Sequence, residues 1–128
     1  SSLNMEIAAE IIRSGLVWKI IQKKRKMAMA RNRIYADFFP ESTVCMESYY
    51  QWLKLPPHCA GSMCESELAH RGVRVFGAER FSVGNRIDSN AIRIATCSTE
   101  NDEQLRLGLE SIRTFIRKQE SAAPVFIV

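Results

Sequence analysis

The sequence predicts an α+β domain, a two-layer sandwich in which helices cover one face of a small, mainly antiparallel sheet of about three strands. Its 128 residues, 46% hydrophobic and 25% charged, have the balance of one globular domain with a single core. Stretches with helical spacing alternate with stretches rich in β-branched and aromatic residues, in the order helix, helix, strand, helix, strand, strand, helix. We divide this single domain into a helical lead-in, residues 1–40, and a remainder, residues 41–128.

The lead-in predicts two helices. Asn4 can cap a short first helix, and Gly15 ends it because glycine readily adopts the left-handed conformation. A long second helix starts near Val17 and ends before Pro40, with one apolar stripe. The run Lys-Lys-Arg-Lys at residues 23–26 lies on the basic outer face of this helix. It is interpreted either as a solvated helix face or as a contact with DNA.

The next stretch predicts a strand, a short helix and a second strand. β-Branched and aromatic residues indicate a strand at residues 50–55, just before a pair of prolines. Ser62 and Glu65 have capping-box spacing at the start of a short helix, and Gly72 lies just past its end. The second strand is "VRVF", residues 73–76.

The last part of the chain predicts a third strand and a long helix. The strand is "AIRIAT", residues 91–96, and Thr99 with Asp102 forms a capping signal for the helix. The apolar stripe of this helix has the spacing of one helical face. It consists of Leu105, Leu109, Ile112 and Ile116.

The composition narrows the possible functions. The net charge of +4 is modest for a nucleic-acid-binding domain. No stretch approaches the roughly 20 apolar residues that span a bilayer, and no signal pattern starts the chain, so we expect a cytoplasmic protein with no membrane partner. Its cysteines and histidines lack zinc-ligand spacing, which favours buried or half-buried free thiols over a metal site. They are Cys45, Cys59, Cys64, Cys97, His58 and His70.

Arg93 is the residue that points to a binding function. The chain has no glycine-rich phosphate loop, nucleophile elbow or HExxH motif, so the sequence predicts no catalytic residues. Arg93, however, lies between Ile92 and Ile94 in the third predicted strand. Its charge requires either solvent or an anion, and a planar guanidinium binds a carboxylate through two parallel hydrogen bonds. The spacing alone leaves both interpretations open.

Three stretches together resemble the C-terminal small domain of the class I/II aminotransferases, the pyridoxal-phosphate enzymes of fold type I. They are "YQWLKLP", "LAHRGVRVFGAERFSVG" and "AIRIATCSTENDEQLRLGLESI". The resemblance runs from about Met5 to Ile116. It implies the small-domain type of α+β sandwich.

The lead-in resembles a more specific group within this family. The stretch "AAEIIRSGLVWKIIQKKRKMAMARNRIYADFF" is similar to the segment before the small domain in MocR-type regulators. These are transcription factors of the GntR class in which a winged-helix DNA-binding domain is fused to an aminotransferase-like domain. Their long helix carries a basic stretch and an arginine, here Arg31 or Arg33.

The resemblance implies a role for Arg93. In the aminotransferases, the arginine at the matching position binds the α-carboxylate of the substrate or of its adduct with the cofactor, so Arg93 is the expected substrate-binding residue. Phe81 matches the aromatic residue of the preceding loop and is expected to pack at the domain junction. Gly77 and Ala78 stand where the family often has Pro-Gly, so this loop departs from the pattern.

The resemblance also implies that the chain is part of a larger protein. The family holds pyridoxal 5′-phosphate on a large domain, which supplies the lysine of the Schiff base, and none of the lysines here matches that motif. They are Lys19, Lys23, Lys24, Lys26, Lys54 and Lys118. We therefore expect the cofactor in the full-length protein and no cofactor, metal or transamination activity in this chain alone.

Two functions follow from the resemblance. In a MocR-type regulator the domain would help to bind an amino acid or its pyridoxal-phosphate adduct, while a missing N-terminal domain would bind DNA. In a working aminotransferase Arg93 would orient the substrate. A third interpretation is a free-standing binding module without a cofactor. We expect an apolar face that packs on the missing large domain or on the second subunit of a homodimer, and self-association that includes "PVFIV", residues 124–128.

Overall fold

The computed structural model describes residues 2–81 and 90–122 and confirms the α+β class. Its helices are α1 (Ser2–Arg13), α2 (Leu16–Phe38), α3 (Gly61–His70) and α4 (Asp102–Ser121), and a short 3₁₀ helix spans Ala78–Phe81. Its strands are β1 (Tyr50–Lys54), β2 (Phe76–Gly77) and β3 (Ala91–Ala95). The segment expected to add to self-association, residues 124–128, lies outside the described residues.

The three strands form an antiparallel sheet in the order β1-β3-β2. Arg93 lies at the centre of β3, opposite Trp52 on one side and Phe76 on the other. Successive side chains of a strand point to opposite faces, so Ile92 and Ile94 are buried beneath the helices while Arg93 points the other way. We call the face that carries Arg93 the open face of the sheet.

One hydrophobic core lies between the sheet and helices α2, α3 and α4. Leu105, Leu109 and Ile112 of α4 are buried as their spacing predicts, and Phe115 is buried with them. Ile116, predicted on the same stripe, is only partly buried at the margin of the core. Burial of each such side chain stabilises a protein by about 1.5–3 kcal/mol, so α4 is a main source of stability.

Two glycines end helices as the sequence predicts. Gly15 has a φ of 75° between α1 and α2, and Gly72 has a φ of 79° just past α3. Both lie in the left-handed region, which a residue with a Cβ atom enters only at an energetic cost. The two glycines therefore set where α1 and α3 stop.

Strand β2 is shorter than the predicted strand at residues 73–76 and starts only at Phe76. The N–H of Val73 donates to the carbonyl of Leu68 at 2.9 Å and closes the end of α3. Val75 is buried in the core. Because the first residue of the stretch completes the helix end, only its last residue pairs with β3.

Two of the predicted N-caps are wrong because the helices begin elsewhere. Helix α1 already includes Ser2, so Asn4 lies inside the helix and is not its cap. Helix α4 is capped by Asn101, whose side-chain oxygen accepts the N–H of Gln104 at 2.8 Å. Thr99, the predicted cap of α4, lies two residues before Asn101 and is bound by Arg31 of α2 instead.

The predicted capping box of α3 is also wrong. The helix begins after Ala60, which makes no side-chain capping bond. The N–H of Ser62 instead donates to a carboxylate oxygen of Glu79 at 2.9 Å. The carboxylate of Glu65 pairs with Arg80. Ser62 and Glu65 are therefore bound by Glu79 and Arg80, 17 and 15 residues away, and not by each other in a local capping box.

The start of α3 packs directly on the sheet. A Cβ atom added to Gly77 would lie 2.7 Å from the carbonyl carbon of Gly61, and one added to Gly61 would overlap with the carbonyl oxygen of Ala91. No side chain fits at either position. Gly77, where the class I/II aminotransferases often have proline, is thus a position at which the backbone of β2 closely approaches the start of α3.

The four cysteines are free and differ in exposure. Cys59 and Cys64 are buried, Cys97 is half-buried and Cys45 is exposed. Burial raises the pKa of the Cys59 thiol. Burial, and then the neighbouring Cys59, raises the pKa of Cys64 to about 12. The thiolate is the reactive form, so the two buried thiols are expected to be inert.

Alkylation of the native protein with iodoacetamide at pH 8 should therefore separate the cysteines into two classes. We expect Cys45 and Cys97 to react at least roughly tenfold faster than Cys59 and Cys64, because exposure and thiolate formation both control the rate. Mass spectrometry of peptides taken at successive times measures each rate. Four similar rates in the native protein would contradict the buried environments, and unfolding in urea provides the control in which all four should react.

Candidate functional site

The open face of the sheet carries Arg93 within a group of aromatic rings. The Cζ atom of Arg93 lies 4.1 Å from the ring centroid of Tyr50, 4.2 Å from that of Phe81 and 5.8 Å from that of Phe76. Trp52 contacts Phe81 edge to face, with ring centroids 5.5 Å apart. We call these four rings the aromatic cluster.

Strand alternation and register bring the aromatic cluster together. Tyr50 and Trp52 are two residues apart in β1 and share the open face. Phe76 of β2 is the partner of Arg93 across the other edge of β3. The 3₁₀ helix that follows β2 then brings Phe81 over the guanidinium. Three separate segments therefore supply the surroundings of one side chain.

The guanidinium of Arg93 is an unneutralised cation within the part of the chain that the structure describes. No carboxylate of residues 2–81 or 90–122 lies within ion-pair distance of it. Its Nε atom is buried and has no hydrogen-bond partner. Aromatic rings attract a cation through their π-faces without accepting its in-plane hydrogen bonds. The arrangement therefore holds a positive charge while leaving donors free for an anion.

The sequence identified Arg93 but missed most of its surroundings. The structure places Arg93 half-buried on the open face, as expected for a strand-borne arginine that awaits a partner. Phe81, expected at a domain junction, contacts Arg93. The contacts of Tyr50 and Phe76 with Arg93 were not predicted. The alternation of β1 could have placed Tyr50 and Trp52 on one face, but only strand register shows that this face meets Arg93.

A carboxylate clamp fixes the segment that carries Phe81. Arg80 donates from Nε and Nη2 to the two carboxylate oxygens of Glu65, both at 2.7 Å. The N–H of Gly77 donates to the same carboxylate at 2.8 Å. The hydrogen bond from Arg80, followed by the bond from Gly77, holds the pKa of Glu65 below its ordinary value near 4.5. Glu65 of α3 thereby ties down both ends of the turn that leads to Phe81.

Replacing Glu65 by glutamine should lower the unfolding temperature at pH 7 by roughly 2–5 °C, because a bidentate bond to Arg80 is lost. The folded-state pKa of this carboxyl is lowered, so its contribution is complete above about pH 4.5 and is lost as the pH falls through the folded value. The difference between parent and variant should therefore shrink below pH 4 in thermal unfolding monitored by circular dichroism. The exposed Glu67→Gln variant is the control, and a difference that stays constant down to pH 3 would refute the assignment.

Arg31 binds the loop that follows β3. This buried side chain of α2 donates to the hydroxyl of Thr99, to the carbonyl of Thr99 at 3.1 Å and, from Nε, to Asp102 at 2.9 Å. Of the two arginines noted in the sequence, Arg31 is thus a structural residue, while Arg33 is exposed. The loop after Arg93 is held in place by the long helix.

The residues around Arg93 do not fit pyridoxal phosphate. The aromatic cluster and Arg93 offer rings and one guanidinium, and none of these forms a Schiff base. Lys54 of β1 shares the open face but matches no cofactor-binding motif. The described residues also hold no group of three or more histidine, cysteine or acidic side chains suited to a metal ion. None of their helices is long and apolar enough to cross a membrane.

The chain is similar in sequence to a transcriptional regulator and in fold to an aminotransferase. It is 31% identical over 119 residues to an uncharacterized HTH-type transcriptional regulator, YdeF, of Bacillus subtilis (strain 168), and the match covers 91% of this chain and 26% of the regulator. The chain therefore spans about a quarter of that relative's length. No family model matches the chain.

The fold is similar to that of an archaeal alanine:glyoxylate aminotransferase. The TM-score is 0.72 at 21% identity, and the match covers 88% of this chain and 29% of the enzyme's chain. At this identity the likeness establishes the fold alone. The two comparisons confirm the resemblance predicted from the sequence: an aminotransferase-like fold in a chain whose sequence is similar to that of a transcriptional regulator.

Proposed function

We propose that the chain is the C-terminal, aminotransferase-like part of a MocR-type regulator of the GntR class, and that Arg93 binds the carboxylate of an amino-acid effector. The effector is the amino acid or its adduct with pyridoxal phosphate. The similarity to an HTH-type regulator supports the first half of the proposal, and the aminotransferase-like fold supports the second. The observation that carries it is the guanidinium of Arg93 on the open face, which no carboxylate of residues 2–81 or 90–122 neutralises.

The proposed ligand matches the chemistry of Arg93. A carboxylate is planar and accepts two parallel hydrogen bonds from a guanidinium, a geometry that a lysine cannot reproduce. Arg93 would hold the carboxylate, which fixes one end of the amino acid relative to the sheet. Pyridoxal phosphate would bind to the rest of the full-length protein, since the residues around Arg93 do not fit it.

The two N-terminal helices carry an exposed apolar surface. Among the described elements α1 packs only against α2, and both helices expose large apolar side chains. The exposed residues are Leu3, Met5, Ile7, Ile12, Leu16, Val17, Trp18, Ile20, Ile21 and Met27. An apolar surface of this extent is typical of an interface. We assign it to the large domain or to the second subunit of a homodimer.

In this proposal the effector acts by changing the position of one domain relative to another. A ligand held both by Arg93 and by the large domain binds the closed arrangement better than the open one, and it shifts the equilibrium by that difference in affinity. Closure would then reposition the DNA-binding domain. The protein would act in the cytoplasm, where its DNA is.

The complete protein encoded by the gene provides the test. With pyridoxal phosphate present, we expect saturable amino-acid binding without formation of a 2-oxo acid, together with a change in affinity for DNA from its own promoter. The Arg93→Gln variant should keep its DNA affinity and lose the response to the amino acid. A coding sequence without a winged-helix domain before residue 1 would refute the proposal.

The second candidate is the small domain of a working aminotransferase, which the similarity to the archaeal enzyme favours. The complete protein would then convert amino acids and 2-oxo acids in a reaction that requires pyridoxal phosphate, and Arg93→Ala would abolish turnover. Binding without turnover favours the regulator, and turnover favours the enzyme. Neither function assigns a role to the basic run Lys-Lys-Arg-Lys at residues 23–26 of α2.

A further inference from the structure

We infer that Tyr50 and Phe81 are positioning residues, which hold the guanidinium of Arg93 so that a ligand carboxylate reaches it only at its two Nη atoms. The inference rests on the proposed carboxylate binding by Arg93 and goes beyond it. It names which donors bind the ligand and which residues orient them.

The contacts of the guanidinium define the edge that is free. Arg93 has five N–H donors in a plane, and the rings of Tyr50 and Phe81 lie 4.1 Å and 4.2 Å from its Cζ atom. The Nε atom is buried, so a ligand from solvent does not reach its N–H. Four donors, on Nη1 and Nη2, remain unoccupied by the residues that the structure describes. A carboxylate therefore binds end-on to these two nitrogens.

The two rings are themselves held by the fold. Tyr50 belongs to β1, and its N–H donates to the hydroxyl of Ser48 at 3.1 Å. Phe81 contacts Trp52 and follows Arg80, whose bond to Glu65 anchors the turn. Neither ring occupies an in-plane donor of Arg93, which a neighbouring carboxylate would do. The rings thus restrict the cation without competing with the ligand.

Such restriction matters for affinity. A free arginine side chain has many rotamers and loses them when it binds a ligand. A guanidinium that is already fixed avoids most of this loss, so the same two hydrogen bonds give tighter binding. Removal of one ring should therefore weaken carboxylate binding even though the charge and all donors of Arg93 remain.

Two readouts on the full chain test the inference. The first is the rate of rotation about the Cζ–Nε bond of Arg93, measured by nuclear magnetic resonance on protein labelled with ¹⁵N-arginine. The second is titration with acetate at constant ionic strength, followed on the same side-chain signals. The Arg93→Lys variant, which lacks these signals, identifies them.

We expect Tyr50→Leu and Phe81→Leu to accelerate the rotation and to weaken acetate binding by roughly three- to tenfold. Tyr50→Phe keeps the ring and should resemble the parent in both readouts. Tyr49→Leu is the matched control, since Tyr49 and Tyr50 are both 44% exposed and Tyr49 has no ring contact with Arg93 in the described residues. Because Tyr50 and Phe81 are 44% and 41% exposed, replacing either ring is expected to leave the domain folded.

Unchanged rotation and unchanged acetate affinity in both leucine variants would overturn the positioning role. Failure of the proposed clamp gives a different result. If acetate shifts no Arg93 signal in the parent, or binds the Arg93→Ala variant equally well, carboxylate binding by Arg93 is refuted. Slow rotation in the parent that accelerates in the leucine variants would then support the positioning of the cation alone.

Discussion

Replacing Arg93 by glutamine should weaken binding of the amino-acid effector to the complete protein by roughly thirtyfold or more. Truncation of one partner of a hydrogen-bonded charge pair at a partly desolvated site costs about 2–5 kcal/mol, and 1.4 kcal/mol corresponds to a factor of ten. Arg93→Lys should also bind weakly, because an ammonium group keeps the charge but loses the two parallel hydrogen bonds. Isothermal titration calorimetry measures the three affinities.

The control for this comparison is Arg106→Gln, which removes an equal charge from an exposed position on α4. It should bind the effector like the parent, so any loss in the Arg93 variants is not due to net charge. Equal affinities in the parent and Arg93→Gln would remove the basis of the proposed function. Affinity restored fully by Arg93→Lys would indicate that a point charge suffices.

Replacing Asn32 by alanine should destabilise the domain by about 2–4 kcal/mol. Asn32 is fully buried on α2, and its Nδ2 donates to the carbonyls of Met46 at 2.8 Å and Ser48 at 2.7 Å. Its Oδ1 accepts the hydroxyl of Thr96 at 2.7 Å. Alanine removes all three of these hydrogen bonds at once, and each contributes about 0.5–1.5 kcal/mol net. Single domains have only 5–15 kcal/mol of stability, so the loss is large.

Equilibrium unfolding in urea measures this loss. The neighbouring Arg33→Ala variant should stay within about 0.5 kcal/mol of the parent, since Arg33 is exposed on the same helix. Thr96→Val removes only one of the hydrogen bonds and should cost less than Asn32→Ala. A value for Asn32→Ala close to that of Arg33→Ala would contradict the hydrogen-bond network.

The Asn32 network also links the core to the candidate site. The carbonyls that it binds belong to the segment just before β1, and Thr96 directly follows β3. One buried side chain therefore fixes the approach to Tyr50 and the exit of the strand that carries Arg93. Its loss is expected to disturb the site as well as the stability.

Much of the fold could be predicted because its signals are local. The apolar stripe at Leu105, Leu109 and Ile112 depends only on the 3.6-residue period of a helix, and the structure buries all three. Gly15 and Gly72 act through their own backbone conformations. Alternation along a strand is local too, and it explains why Arg93 lies on the face opposite to Ile92 and Ile94.

The predictions that were wrong concern side chains with distant partners. Glu65 was assigned to a capping box, but it binds Arg80, 15 residues away. Thr99 was assigned to a helix cap, but it binds Arg31, 68 residues away. Local spacing predicts a cap wherever the residue types allow one, whereas a charged partner across the fold offers a stronger bond.

The sequence by itself determined the fold class, the order of the elements and the presence of a charge at the centre of a strand, because these follow from composition and periodicity. Only the tertiary structure decided what surrounds that charge. Tyr50, Phe76 and Phe81 come from three segments, and they meet Arg93 only through the pairing of β1 and β2 with β3. Strand register depends on contacts between residues far apart in the chain, and no local pattern encodes which of them meet.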